Sequence, residues 1–297
     1  MIFHATLTYR RLSYLWISLA LVACAAAVFV TQSGGNIARG DTWQGYTLGT
    51  IAALLMIWLA LLGIRKRRYA SSLGSVQGWT SAHIYLGLAV VAIATLHCAG
   101  RFHDNIHTYA YVLMCAVVIT GTVGVVCYLS IPRLLMDNRA TETRAAMFAE
   151  LFELDQQARH LSQECDSETA AVVQSSIERT VVGGGVWAQL MRLDRSLFED
   201  PGLQSTGRST GLRRNVNQEA ALAYVSSRLP SAYRQSEAAA LQQLVVTLSR
   251  RQSVLHRIRR DVQLQGWLKI WLYAHIPLTV AALGTLFVHI LTTFLDG

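Results

Sequence analysis

Charge is scarce in this sequence: 15% of its 297 residues are Asp, Glu, Lys or Arg, against 52% that are hydrophobic. An average soluble domain carries about 25% charged residues, so the shortfall leans toward a membrane protein. Cysteine is also sparse. Cys24, Cys98, Cys115, Cys127 and Cys165 form no C-x-x-C pair and no C-x-x-C-H, which excludes covalent c-type haem attachment and a ferredoxin-like cluster motif. Four of the five fall in apolar segments, where a thiol behaves as a small hydrophobe. No Walker loop, dinucleotide-type G-x-G-x-x-G or zinc ligand set is present. The net charge of +8 comes mostly from short clusters beside apolar runs, and aromatics are not interleaved with them. That pattern is a topology signal and argues against nucleic acid as a partner.

What charge there is sits in the middle. Of 18 acidic residues 15 lie between Ile131 and Leu268, with 17 of the 26 basic ones. Five apolar segments flank this region: Tyr14–Thr31, Tyr46–Ile64, Gly78–Ala99, Thr108–Ser130 and Ile270–Phe294. Each approaches the ~20 residues that cross hydrocarbon as a helix. Leu21-Val22-Ala23-Cys24 resembles a lipoprotein cleavage box, but the apolar run continues to Thr31, which favours a retained span. Arg10, Arg11, Arg65-Lys66-Arg67-Arg68, Arg133, Arg139, Arg257, Arg259, Arg260 and Lys269 all fall on one side, opposite only Arg39 and Arg101. The positive-inside rule then puts the N-terminus and residues 131–268 in the cytoplasm and the C-terminus outside, as in a bacterial-type inner membrane.

The expected fold is all-α: an integral membrane bundle with helices one to four in 1–130, a helical cytoplasmic insert in 131–268, and helix five in 269–297. Within the insert, Thr141–Cys165 shows apolar residues at helical spacing (Ala145, Phe148, Leu151, Phe152), and Asn217–Arg228 reads as another helix ending near Pro230. Gln235–Gln265 reads as a long helix that runs into span five. Val182-Gly183-Gly184-Gly185 and Pro201–Gly211 read as loops, and nothing alternates as a strand would.

Four histidines lie inside spans three and five. His83 and His97 are 14 residues apart, and so are His275 and His289. Fourteen helical steps fall about 40° short of four full turns and rise about 21 Å, so each pair shares one helix face with one histidine near each membrane surface. Both spans run in the same direction, which levels His83 with His275 and His97 with His289. Two facing helices would thus offer an imidazole pair at two depths, and a bis-imidazole haem needs one ligand on each side of the iron. The flanks match as well: Trp79-Thr80-Ser81-Ala82-His83-Ile84-Tyr85-Leu86 and Trp271-Leu272-Tyr273-Ala274-His275-Ile276-Pro277-Leu278 share W-x-x-A-H-I-x-L. The tryptophans suit an interfacial aromatic belt. Gly87 and Gly284 suit either the approach of a porphyrin or ordinary helix packing. The five spans contain no Asp or Glu, unlike most proton or metal-ion pathways. Arg101, His103 and His107 fall in the short outer loop between spans three and four, as a candidate quinone pocket or propionate guide. His4, His160 and His256 are expected at the surface.

The two H-x13-H helices resemble the membrane cores of ferric reductase-like and NADPH oxidase-type proteins and, more loosely, other dihaem b-type cytochromes. The resemblance covers spans three to five. It implies two non-covalent haem b groups, one held by His83 and His275 and one by His97 and His289, with electron transfer across the bilayer. It departs from that family in having five spans rather than six and about 140 soluble residues between the ligand helices. Nothing resembles the flavin and nicotinamide domain that the family commonly carries. Separate redox subunits (iron-sulfur, flavin or cytochrome proteins) are therefore the expected partners, besides membrane lipid and a quinone. Two other readings compete: a stand-alone metalloreductase or quinol oxidase acting at the outer loop, and a membrane anchor or sensor with a cytoplasmic signalling domain.

Overall fold

The computed structural model describes residues 6–32, 42–68, 72–140, 142–204, 211–231 and 234–295. It is helical almost throughout. Five helices are long and apolar enough to cross a membrane: they include α1 (Ser13–Gln32), α2 (Trp43–Arg67), α3 (Val76–Cys98) and α4 (Ile106–Arg139). The fifth is the C-terminal part of α10 (Gln235–Leu295). Between α4 and α10 lie α5 (Arg144–Gln163), α6 (Ser167–Glu178), α7 (Val186–Leu190), β1 (Leu197–Glu199), α8 (Pro201–Gln204), β2 (Leu212–Arg214) and α9 (Glu219–Arg228). The chain divides into two compact units, one of Met1–Leu129 with Ile270–Gly297, the other of Ser130–Lys269.

In the first unit α3 packs on α1 and α2. Thr42 and Ser75 start α2 and α3 by accepting from the Gly45 and Gly78 amides, satisfying donors that a helix N-terminus leaves open. Ala99 and Gly100, both left-handed at φ 50° and 72°, end α3. The seam is built of small and aliphatic residues: Ala25 of α1, Leu48 and Ala52 of α2, Val90, Ile93 and Ala94 of α3, and Met114 of α4. Small side chains bring the helix backbones close, and close approach is what holds helices together in lipid. The outward faces carry Trp16, Leu54, Ile119, Val126, Val280 and Phe287, all exposed. Exposed apolar surface on that scale marks a membrane or partner interface.

The second unit is built around a buried apolar core. Leu151, Leu154, Ala158 and Leu161 of α5 form its buried stripe, joined by Val173 and Ile177 of α6, Val225 of α9, and Leu241, Leu244, Leu248, Leu255 and Ile258 of α10. Phe148 and Phe152, which the helical spacing put with the apolar face, are exposed, and Met147 takes the buried position instead. The fully buried Arg251 donates to Asp155, Gln218 and Thr180. Asp261, with no exposed side-chain surface, accepts from Arg139 at 2.5 Å and Arg144 at 2.8 Å. Two expectations for this region fail. β1 and β2 pair antiparallel, Phe198 opposite Arg213, and Pro201–Gln204 opens the expected loop with a helical turn. Three residues per strand are too few for alternation to register in the sequence.

Candidate functional site

Each of the four histidines is engaged through Nδ1, and the partners come from two supporting helices. On α3, His83 Nδ1 lies 3.1 Å from the Leu59 carbonyl and His97 Nδ1 lies 2.8 Å from the Gly45 carbonyl. Both acceptors are on α2. From Gly45 to Leu59 is 14 residues, the spacing of His83 to His97 run in the opposite direction, so one antiparallel register serves both histidines. A carbonyl can only accept, so Nδ1 carries the ring proton in both cases and, in the neutral ring, Nε2 keeps its lone pair. Gly49, one turn on from Gly45, makes the approach possible: a Cβ there would stand 2.8 Å from His97 Cε1.

The second support is α4. His275 Nδ1 lies 3.0 Å from the Thr120 hydroxyl, which donates its own proton to the Ala116 or Val117 carbonyl, each at 2.9 Å. With the hydroxyl proton on one of those carbonyls, His275 Nδ1 is the donor to Thr120 and its Nε2 is unprotonated. One turn before it, the Trp271 indole donates to the Thr120 carbonyl at 2.7 Å and stacks near His275, ring centres 5.5 Å apart. Gly124 leaves space for that indole, since a Cβ there would fall 2.1 Å from the ring. His289 Nδ1 makes a short contact with Nδ1 of His107, the rings edge to face at 4.5 Å. The two matched tryptophans thus part company. Trp79 stacks on Trp58 of α2 at 4.7 Å and donates to the Leu73 carbonyl, away from its histidine.

Across the site, the His97 and His289 rings stand 6.2 Å apart, centre to centre, at 87°. Two metal–imidazole bonds of about 2.0 Å, set in line through one iron, place the ring centres about 6 Å apart. The spacing of that pair is thus of the size that two imidazoles on one iron require. His83 and His275 lie within electrostatic range of each other. Among the described residues no three His, Cys, Asp or Glu side chains converge as a protein-only metal cage requires. A haem needs no such cage, because the porphyrin supplies four of the iron's ligands. Cβ atoms built at Gly87 and Gly284 meet nothing within 4 Å, so neither glycine sits at a helix contact.

The three residues of the expected outer pocket fall on two kinds of local structure. His107 is the second residue of α4 and not a loop residue, and it is turned to His289. Arg101 and His103 are exposed on the α3–α4 connection, where the His103 amide donates to Thr108. Helix α4 starts at Ile106, so His107 belongs to the helix while Arg101 and His103 belong to the connection. His160 and His256 are exposed; His4 lies outside the described residues. The supporting groups Gly45, Leu59, Thr120 and His107 were not read as partners of the histidines. Only Gly45-x-x-x-Gly49 left a trace, as the small-residue spacing of a close helix pair. No protein-family model, curated protein or solved structure matches the chain.

Proposed function

We propose that this protein is a membrane b-type cytochrome subunit that carries electrons across the bilayer through two bis-histidine haem sites. The observation that carries the reading is the matched set of four histidines, each with Nδ1 held by a partner on a neighbouring helix, the carbonyl partners leaving Nε2 of His83 and His97 available to a metal. This is the arrangement in which an outer hydrogen bond fixes the tautomer and raises ligand basicity. Haem iron supplies one-electron chemistry at each site, and the ~21 Å helical rise between ligands makes them two stops in series. His83 and His275 hold the inner site, and His97 and His289 the outer. Leu59, Gly45, Thr120 and His107 hold the rings, while the apolar seam around Val90, Ile93 and Met114 keeps water out. Donor and acceptor are separate redox proteins or a quinone, with the cytoplasmic unit as the docking platform.

The test is optical. Purified full-length protein should show a reduced-minus-oxidised b-type band and two non-covalent haems per chain. His97→Ala and His289→Ala should each remove one and the same haem, while His83→Ala and His275→Ala remove the other. Protein without such a band would sink the reading, and loss of one haem by His97→Ala together with His275→Ala would sink the pairing.

A further inference from the structure

The two ligand pairs are not equivalent, and the difference lies in what receives their Nδ1 protons. At the inner site the acceptors are the Leu59 carbonyl at 3.1 Å and the Thr120 hydroxyl at 3.0 Å. A hydroxyl oxygen is only weakly basic. At the outer site they are the Gly45 carbonyl at 2.8 Å and, with His289 as donor of the Nδ1–Nδ1 contact, the imidazole of His107. An imidazole nitrogen is the stronger base, and the more a ligand's Nδ1 proton is drawn away, the more electron density its Nε2 gives a metal. Density of that kind stabilises the ferric state. His107 is exposed, and contact with water acts in the same direction. Positive charge acts the opposite way, and it gathers at the inner end: Lys66, with its ammonium over the Tyr128 ring at 5.3 Å, lies within electrostatic range of His83.

We propose that His107 is the positioning residue of the outer ligand His289, and that through it the outer site has a lower midpoint potential than the inner. This rests on the haem reading above. Donor strength, outer exposure and inner charge all point to the same order.

The experiment is an anaerobic redox titration of the full-length protein, followed in the haem bands and by electron paramagnetic resonance of the ferric state. Two components are expected, and His97→Ala should remove the lower. His107→Leu should shift the lower component up toward the higher one and leave the higher in place. His107→Asn, whose amide oxygen is a weaker acceptor, should fall between wild type and His107→Leu, and it is read alone if His107→Leu loses haem. Thr120→Val should raise the higher component only. A lower component that stays put in both His107 variants overturns the proposal, as does removal of the higher component by His97→Ala. Absence of b-type haem in wild-type protein overturns the haem reading itself, and the two failures are told apart by the first spectrum.

Discussion

Adding one methyl group to Gly49 should empty the outer site while leaving the inner one filled. A Cβ at this position stands 2.8 Å from Cε1, 3.1 Å from Nδ1 and 3.2 Å from Nε2 of His97. Carbon atoms in contact prefer about 3.5–4.0 Å, so the overlap is on the order of 1 Å. The ring cannot retreat without releasing the Gly45 carbonyl, which it holds at 2.8 Å. Overpacking of this kind costs about 1–3 kcal/mol, and the released hydrogen bond adds about 0.5–1.5 kcal/mol. Alanine recovers up to about 1 kcal/mol of helix propensity. The net penalty of about 0.5–3.5 kcal/mol corresponds to a roughly 2- to 400-fold loss of the ligating rotamer. The assay is haem content per chain, with the difference spectrum resolved into its two components. Gly63→Ala is the control, because its Cβ meets nothing within 4 Å. Two haems per chain with an unchanged spectrum in Gly49→Ala would refute the proposed role of α2.

Gly124→Ala should act on the other site, displacing the Trp271 indole that stands 2.1 Å from the added carbon; the inner component of the spectrum should be lost or broadened. Asp261→Ala strands Arg139 and Arg144 around a buried vacancy, and should destabilise the Ser130–Lys269 unit by about 3–5 kcal/mol in denaturant titration. Asp194 gives a pH test. Burial pushes its carboxyl up, but hydrogen bonds from Ser196 and Asn217 and the Arg259 guanidinium outweigh that and hold it below the usual carboxylate range. Its stabilisation is complete above the unfolded carboxyl's pKa of ~3.9 and is lost as pH falls through the lower folded value. Asp194→Asn should remove that part of the acid-unfolding curve, and an unchanged curve would count against the pairing with Arg259.

The spans were legible because hydrocarbon demands a long, uncharged run, and such a run writes itself into composition. The histidine faces were legible because helical geometry turns a 14-residue spacing into one stripe. The partners of those histidines were not. A backbone carbonyl is present at every residue, so nothing distinguishes Leu59 or Gly45 until the register of α2 against α3 is known. Thr120 read as one polar residue among apolar neighbours, and His107 as a loop residue, because helix ends are set by capping geometry that polar residues such as Asp104 and Asn105 only hint at. In the insert, Phe148 and Phe152 show the limit of hydrophobic spacing. Two adjacent stripes satisfy it on α5, and contact with α10 decides that Met147 and Leu151 are buried.

The register between α2 and α3 also has a consequence in time. A ribosome adding about 5–20 residues per second needs roughly 10–40 s to travel from His83 to His275. Throughout that interval α2 and α3 are neighbours in sequence, and Arg65 of α2 donates to the Arg68 and Gly74 carbonyls. His83 and His97 therefore have their carbonyl partners long before His275 and His289 exist. On the proposed haem reading, half of each site is set early, and cofactor capture waits on the last helix to be made.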